Sequence, residues 1–293
     1  MTRRLVPAAL LLLLLALSLR ERDRPPAAHR AEWLAAGDVH VRAARFGSGD
    51  TTLVLLHGFG ESLMAWRAVA DRLAERHRVV LLDLPGFGLS EKPAAGPWDL
   101  RAMHTRLEAF VAEWTRGPVV VVGHSMGGEL AAALALGDTT RIVSAVLIAP
   151  AGFGLGQVTQ SLPDALAGAI GASTPLVLPV RDDAWLAGPP ERLGYDPLTD
   201  PATLRTAQAV MEQFDFGGLR PRWSALRQPV LLIWGSLDPT IPVSTGESLA
   251  VVIPCARLAV LPGALHRPHQ SEPDTVVAEI ERFLSRRPER CDT

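Results

Sequence analysis

The chain has 293 residues, of which 48% are hydrophobic and 20% are charged, and its formal net charge is −2. This length suits one large α/β domain that carries an insertion, and the composition is that of a globular protein. Because the net charge is close to neutral, it gives no basis for a nucleic-acid partner.

The first 28 residues have the pattern of an export signal. Residues 1–4 are basic, and residues 5–19 are apolar except for Ser18. The apolar run is shorter than the roughly 20 residues of a membrane-spanning helix, and three arginines that closely follow it oppose translocation. We interpret residues 1–28 as a signal peptide or N-terminal membrane anchor plus a linker. We therefore expect an exported or membrane-anchored protein on the periplasmic or extracytoplasmic side, with residues 5–19 as its membrane attachment.

Short apolar runs alternate with helical segments along the rest of the chain, which is typical of βαβ units. This alternation predicts a mostly parallel, doubly wound sheet whose core is formed by residues 29–150 and 201–293. The first predicted strand, residues 39–46, reads as an antiparallel edge strand. The other predicted strands are residues 53–56, 79–82, 119–122, 142–149, 230–234 and 257–261, and the predicted helices are residues 62–75, 100–114, 201–214, 242–252 and 274–283.

The most informative stretch begins with four consecutive valines, residues 119–122, and continues as Gly123-His124-Ser125-Met126-Gly127 before an Ala/Leu-rich run. The valines suit a strand buried on both faces of a parallel sheet, and the Ala/Leu run suits a helix. A G-x-S-x-G sequence between a strand and a helix forms a sharp turn that exposes the serine hydroxyl at the carboxyl end of the sheet. Ser125 is therefore the candidate nucleophile.

The alternation stops between residues 151 and 200, a segment rich in glycine, proline, leucine and alanine in which no strand is evident. A long irregular insertion in a compact domain is usually functional, and its apolar content argues against a simple surface loop. We expect a mainly helical cap over the serine, with Phe153, Leu178 and Trp185 as candidate substrate-binding residues.

The chain has two cysteines, Cys255 and Cys291. Their spacing fits neither a zinc cluster nor a C-x-x-C motif, and it leaves open whether the two form a disulfide. The sequence contains no group of residues with metal-ligand spacing. We therefore expect no metal and no cofactor.

Five motifs follow one another in an order that resembles the α/β-hydrolase family, in its serine-nucleophile branch, over nearly all of residues 38–285. The resemblance implies an eight-stranded-type sheet with a cap, and a nucleophile, an acid and a histidine that occur in this order along the chain. The motifs are His57-Gly58-Phe59-Gly60, Asp83-Leu84-Pro85-Gly86-Phe87-Gly88, Gly123-His124-Ser125-Met126-Gly127, Gly235-Ser236-Leu237-Asp238, and His266 followed by Pro268.

The family order implies a catalytic triad of Ser125, Asp238 and His266. A serine hydroxyl is a weak nucleophile at neutral pH, so His266 would take its proton while Asp238 orients the imidazole. By the same resemblance, the backbone N–H groups of Phe59 and Met126 would form the oxyanion hole.

Three other histidines have alternative interpretations. We expect His57 to bind the backbone of its glycine-rich loop, and His124 to be structural because its side chain should point away from the reaction. His269 competes with His266 for the role of base, and family spacing favours His266. The family's carbon–carbon bond hydrolases usually carry a tryptophan shortly after the catalytic histidine, and residues 267–270 contain none.

The sequence thus predicts a serine hydrolase that cleaves a small to medium apolar carboxylic ester through an acyl-enzyme. Ser125 argues against the family's aspartate-nucleophile enzymes. The alternatives are a carbon–carbon bond hydrolase or an acyltransferase on the same scaffold, or a non-catalytic protein that binds a small molecule. The expected partner is the small-molecule ester alone, without nucleic acid.

Overall fold

The computed structural model describes residues 29–153, 185–187 and 200–286. The described strands are β1 (His29–Ala36), β2 (Val39–Gly47), β3 (Thr52–Leu56), β4 (Arg78–Leu82), β5 (Val119–His124), β6 (Ile142–Ile148), β7 (Leu186–Ala187), β8 (Val230–Gly235) and β9 (Ala256–Leu261). The described α-helices are α1 (Arg67–Ala74), α2 (Leu100–Trp114), α3 (Met126–Gly137), α4 (Pro201–Gln213), α5 (Val243–Val252), α6 (Pro268–Ser271) and α7 (Pro273–Ser285). Two 3₁₀ helices cover Leu63–Trp66 and Arg220–Ala225.

All described strands belong to one sheet, in the order β7-β1-β2-β4-β3-β5-β6-β8-β9. Strand β2 is antiparallel to both of its neighbours, and every other pair is parallel. The mostly parallel, doubly wound sheet predicted from the sequence is confirmed. Strand β5 lies inside the sheet between β3 and β6, so the segment that follows it emerges at the carboxyl edge, where open α/β sheets bind their ligands.

The sheet separates two apolar cores. Along β5 the valines alternate, with Val119 and Val121 packing on one core and Val120 and Val122 on the other. The first core also includes residues of α2, α3 and α5, and the second includes residues of α1 and α7. Both faces of β5 are therefore covered, which explains why its sequence is a continuous apolar run instead of an alternating one.

The edge of the sheet differs from the prediction. Strand β2 was expected at the edge, but β1 and β7 lie outside it. Strand β7 lies within the insertion and consists of two residues paired in parallel with the start of β1. Such a short strand carries no recognisable periodicity. The insertion thus contributes a strand to the core sheet, although its sequence gave no indication of one.

Residues 1–28 and most of the proposed cap, including Leu178, lie outside the described residues. Cys291 is also outside them, whereas Cys255 is disulfide-bonded. Within the described ranges, we find no helix that combines the length and the apolar character needed to cross a membrane.

Candidate active site

Ser125 lies at the turn between β5 and α3 in a backbone conformation that is rare for a residue with a side chain. Its φ is +52° and its ψ is −119°. The turn is held in place because the Ser125 N–H donates to the Ile148 carbonyl of β6, and the Ser125 carbonyl accepts from the N–H groups of Gly128, Glu129 and Ala151. Strained backbone of this kind persists only where the surrounding structure fixes it, and it is concentrated at functional sites. The serine side chain is half-buried and remains accessible.

The glycines on either side of Ser125 allow the close packing that this turn requires. A Cβ atom on Gly123 would come within 2.1 Å of the Gly127 carbonyl oxygen. A Cβ on Gly127 would come within 2.3 Å of the carbonyl oxygens of Leu56 and His57. The G-x-S-x-G pattern is thus required sterically, because the turn packs against itself and against the end of β3.

His266 and Asp238 form a buried hydrogen-bonded pair near the same edge of the sheet. Asp238 follows β8, and its Oδ2 lies 2.7 Å from His266 Nδ1. Its Oδ1 accepts from the backbone N–H groups of Thr240 and Ile241. The carboxylate therefore satisfies a turn with one oxygen and orients the imidazole with the other, because the Nδ1–H must point at Asp238.

The loops that carry these two residues pack directly on each other. A Cβ on Gly235 would lie 2.2 Å from the Leu265 carbonyl oxygen, so this position requires a glycine. The Leu237 N–H donates to the Ala264 carbonyl, and Ser236 Oγ accepts from the Gly263 N–H. The Gly235-Ser236-Leu237 sequence thus fixes the loop that presents His266.

Burial lowers the pKa of His266, and nearby His124 lowers it further, while the hydrogen bond to Asp238 raises it. The net shift is downward from the ordinary value of 6.5. The imidazole is therefore neutral near pH 7, which is the form that can accept a proton.

Phe59 and Met126 carry the two backbone N–H groups that were predicted to form the oxyanion hole. Met126 is the first residue of α3, where the backbone N–H groups have no intrahelical partner. Within the described residues, no hydrogen bond has the N–H of Phe59 or Met126 as its donor. The positive end of the α3 dipole adds to this site's preference for negative charge.

A model of the Alpha/beta hydrolase family matches residues 53–279. The chain belongs to the α/β-hydrolase family. It is therefore a hydrolase of this family, with the strand order and the nucleophile turn described above.

Individual relatives cover most of the chain. It is 32% identical to a dihydrolipoyllysine-residue acetyltransferase component of an acetoin cleaving system from Cupriavidus necator, over 84% of this chain and 67% of that protein. It is 31% identical to a pimeloyl-[acyl-carrier protein] methyl ester esterase from Aeromonas hydrophila, over 83% and 99%. Among solved structures, a membrane phospholipase A described as a bacterial virulence factor has a TM-score of 0.66 and 25% identity, over 96% of this chain and 97% of that one.

The other histidines of this α/β hydrolase have structural contacts. His57 Nδ1 lies 2.8 Å from the Gly58 carbonyl oxygen, and its Nε2 accepts from the Leu84 N–H, as expected for a residue that binds its own loop. His124 is buried and contacts Glu61 and the His266 carbonyl oxygen, and its structural role stays a prediction. His269 is fully buried, and neither ring nitrogen has a hydrogen-bond partner among the described residues. Of these four histidines, His266 is the one hydrogen-bonded to an aspartate, Asp238, in the loop that follows β8.

Two of the three candidate substrate-binding residues, Phe153 and Trp185, are among the described residues, and they lie in different places. Phe153 is half-buried, follows β6 and lies under the guanidinium of Arg220, with 5.8 Å between the group and the ring centre. Trp185, which was also predicted to line the pocket, makes its described contacts at the far edge of the sheet. Its Nε1 donates to Asp71 of α1, and its ring packs on His29 and Phe46. At about 4.8 Å per strand, the five strand steps from β7 to β5 place Trp185 about 24 Å from the strand of the nucleophile.

Two charged residues of the site were missed at the sequence level. Glu61, just after the His57-Gly58-Phe59-Gly60 loop, forms a buried ion pair with Arg267, with 2.8 Å between Arg267 Nε and Glu61 Oε1. Arg267 directly follows His266, in the region where the family's carbon–carbon bond hydrolases usually carry a tryptophan. The sequence carried one signal, because Glu61 stands between a glycine-rich loop and an apolar helix. A carboxylate that is buried at such a position needs a charged or hydrogen-bonding partner.

Proposed function

We propose that this α/β hydrolase cleaves small to medium apolar carboxylic esters through an acyl-enzyme, with Ser125, His266 and Asp238 as its catalytic triad. The observation that carries the proposal is the hydrogen-bonded His266–Asp238 pair, which lies at the sheet edge where the strained turn presents Ser125. A non-catalytic binder has no need of a neutral buried imidazole that is oriented by a carboxylate, together with an accessible serine in a strained turn.

In the proposed mechanism, Ser125 Oγ attacks the ester carbonyl carbon while its proton moves to His266 Nε2. Asp238 stabilises the imidazolium that forms and remains ionised. The negative charge on the carbonyl oxygen is stabilised by the N–H groups of Phe59 and Met126, each of which is expected to lower the barrier by about 3–4 kcal/mol. The intermediate collapses, the alcohol leaves with the proton from His266, and a water molecule then hydrolyses the acyl-enzyme by the same steps.

Within the described part of the chain, no hydrogen bond joins Ser125 Oγ and His266, whose ring is bound to Asp238. This is compatible with the proposal, because catalytic hydrogen bonds in enzymes without substrate are often long and tighten only when substrate binds.

The proposed substrate class draws on the residues around the site and on the relatives. A methyl ester esterase and a phospholipase A are both enzymes that cleave carboxylic esters. We propose that the insertion caps the serine and that Phe153 contributes to an apolar acyl pocket, which excludes water from the reaction.

Acyl transfer is the second candidate, because one relative is an acetyltransferase component. An acyl-enzyme can pass its acyl group to a thiol or alcohol in place of water. The two activities are separated by adding an alcohol acceptor to an ester assay and measuring the ratio of transfer product to free acid.

We also propose that residues 1–28 export the enzyme or anchor it in the membrane, so that it acts outside the cytoplasm. The support is the basic start followed by the apolar run.

The test is covalent labelling with a fluorophosphonate probe, read by intact mass. We expect one adduct on the wild-type enzyme and none on Ser125→Ala, together with hydrolysis of chromogenic esters of graded acyl length by the wild type alone. Because each buried methylene contributes up to about 0.8 kcal/mol, kcat/KM should rise with acyl length until the pocket is full. An adduct that persists on Ser125→Ala would refute the assignment of the nucleophile.

A further inference from the structure

Glu61 is a buried carboxylate that lies where three separate segments of the site meet. Its side chain is 6% exposed. Its Oε2 accepts from the Gly58 N–H at 2.8 Å and lies 3.2 Å from His124 Nδ1, and its Oε1 lies 2.8 Å from Arg267 Nε.

Each contact reaches a different part of the proposed machinery. Gly58 precedes Phe59, whose N–H is the proposed oxyanion donor. His124 precedes Ser125, and Arg267 follows His266. One carboxylate therefore contacts the immediate neighbour of the nucleophile, of the base and of an oxyanion donor.

His124 extends the connection directly to the base. While Nδ1 of His124 faces Glu61, its Nε2 lies 3.0 Å from the His266 carbonyl oxygen. Each ring nitrogen of His124 thus lies within hydrogen-bond distance of a different acceptor, one on each loop. Glu61, His124 and the His266 backbone thus form a chain of hydrogen bonds from the oxyanion loop to the histidine loop.

The charges of this cluster support an ionised Glu61. Burial alone would raise the pKa of Glu61, but His124 and Arg267 outweigh burial and lower it well below its usual range. Glu61, His124 and His269 are also residue types that bind metals, with ligand atoms within 4.8 Å of one another. The Arg267 guanidinium, however, already balances the carboxylate, and a divalent cation beside it would be strongly repelled.

We propose that Glu61 is a positioning residue that keeps the oxyanion loop, the nucleophile turn and the His266 loop in their catalytic arrangement through Gly58, His124 and Arg267. This inference rests on the proposed ester hydrolase function. Displacements of about 1 Å in an active site can cost about 10²-fold in rate, so the loss of this connection should slow the chemical step. Substrate affinity should change little, because none of the three contacts involves Phe153, the described residue of the proposed acyl pocket.

The test compares Glu61→Gln, Arg267→Met and the double variant with the wild type. Gln keeps the shape of Glu61 and the acceptor for Gly58, but removes the charge that holds Arg267 and His124. The matched control is Glu279→Gln, which neutralises a carboxylate that pairs with Arg257 between α7 and β9, away from the three loops of the site. Single-turnover acylation with a chromogenic ester gives the rate constant at saturation and the half-saturation concentration. The fluorophosphonate adduct at long incubation counts competent sites, and circular dichroism confirms folding at the assay temperature.

We expect acylation per competent site to fall about 10- to 100-fold in Glu61→Gln and in Arg267→Met, with half-saturation within about two-fold of the wild type. The double variant should lose little more than either single variant, because both substitutions break the same connection. The control should acylate at the wild-type rate. An acylation rate within two-fold of the wild type in Glu61→Gln, or fully multiplicative losses in the double variant, would overturn the inference. If the wild type neither cleaves esters nor takes the probe, the proposed function itself fails.

Discussion

At the scale of single residues, His266 and His269 are three positions apart and both pack against the ring of His124, but their polar contacts differ. The ring of His266 is bound to Asp238, whereas the ring of His269 packs between those of Trp66 and His124, with centre-to-centre distances of 4.6 Å to each. Burial lowers the pKa of His269 well below its usual value, so this ring is a neutral packing element. Sequence spacing favoured His266 as the base, and the contacts of the two rings support the same choice.

We expect His266→Ala to lower kcat by roughly 10⁴-fold or more, the usual effect of removing a member of a catalytic triad. His269→Ala should lower the melting temperature, because it leaves a cavity beside Trp66, but it should change kcat far less. Steady-state kinetics on folded samples of both variants decide the matter. A larger loss of kcat in His269→Ala would reverse the assignment.

Sequence reasoning identified residues whose roles are visible in a local motif. Ser125 lies in a glycine turn, and Asp238 follows an apolar strand. The roles of Glu61 and Arg267 were not predicted, because they depend on a contact between positions 206 residues apart in the chain. Nothing in either local sequence indicates which oppositely charged residue will be buried against it.

At the scale of secondary structure elements, the buried strands were predictable because parallel strands covered on both faces are continuous apolar runs. Strand β1 was not predicted, because the sequence HRAEWLAA mixes charged and apolar residues at one exposed flank of the sheet. Strand β7 was not predicted because a two-residue strand forms only when β1 is already in place to pair with it. Trp185, predicted to line the pocket as one of the apolar residues of the insertion, donates to Asp71 at this edge of the sheet.

The position of β7 predicts different effects for alanine substitutions of two apolar residues of the insertion, Trp185 and Phe153. Trp185→Ala should lower the free energy of unfolding by about 3 kcal/mol, the lower end for a buried tryptophan, without changing the acyl-length preference. Phe153→Ala should shift that preference towards other chain lengths, because Phe153 follows β6 at the carboxyl edge of the sheet. Urea unfolding and a series of chromogenic esters measure the two effects. A changed acyl profile in Trp185→Ala would return this residue to the pocket.

At the scale of the whole molecule, the described fold begins at His29, the first residue of β1, and β1 pairs with β2 along residues 31–36. A truncated chain that starts at residue 29 therefore retains every described strand. We expect deletion of residues 1–28 to leave a folded enzyme with wild-type kcat/KM towards esters, and to abolish export or membrane association in cells. The measurements are circular dichroism, ester kinetics and fractionation of cells that express either form. Failure of the shortened chain to fold would place the N-terminal segment in the core.

The pH dependence of stability is set in part by Glu129, which lies on α3 one turn after Ser125. Its side chain is fully buried, and within the described residues neither carboxyl oxygen has a hydrogen-bond partner. The site is tightly closed, because a Cβ on Gly152 would lie 2.5 Å from Glu129 Oε1. Burial, with a smaller contribution from the negative charge of Asp215, raises the pKa of Glu129 from 4.5 to about 8, and the nearby Leu219 backbone opposes this rise only weakly.

A raised pKa in the folded state means that the native protein binds this proton more tightly than the unfolded chain does. The contribution to stability is therefore complete below about pH 4.5 and is lost as the pH rises through about 8. With about 1.4 kcal/mol per pKa unit, the loss across this window is roughly 3–5 kcal/mol. Glu129→Gln carries no titrating group, so its free energy of unfolding should exceed that of the wild type by a margin that widens from pH 5 to pH 8. Urea unfolding of both proteins at pH 5, 6.5 and 8 measures this margin. A constant difference across the three values would mean that Glu129 is ionised in the native state and that an unrecognised partner stabilises its charge.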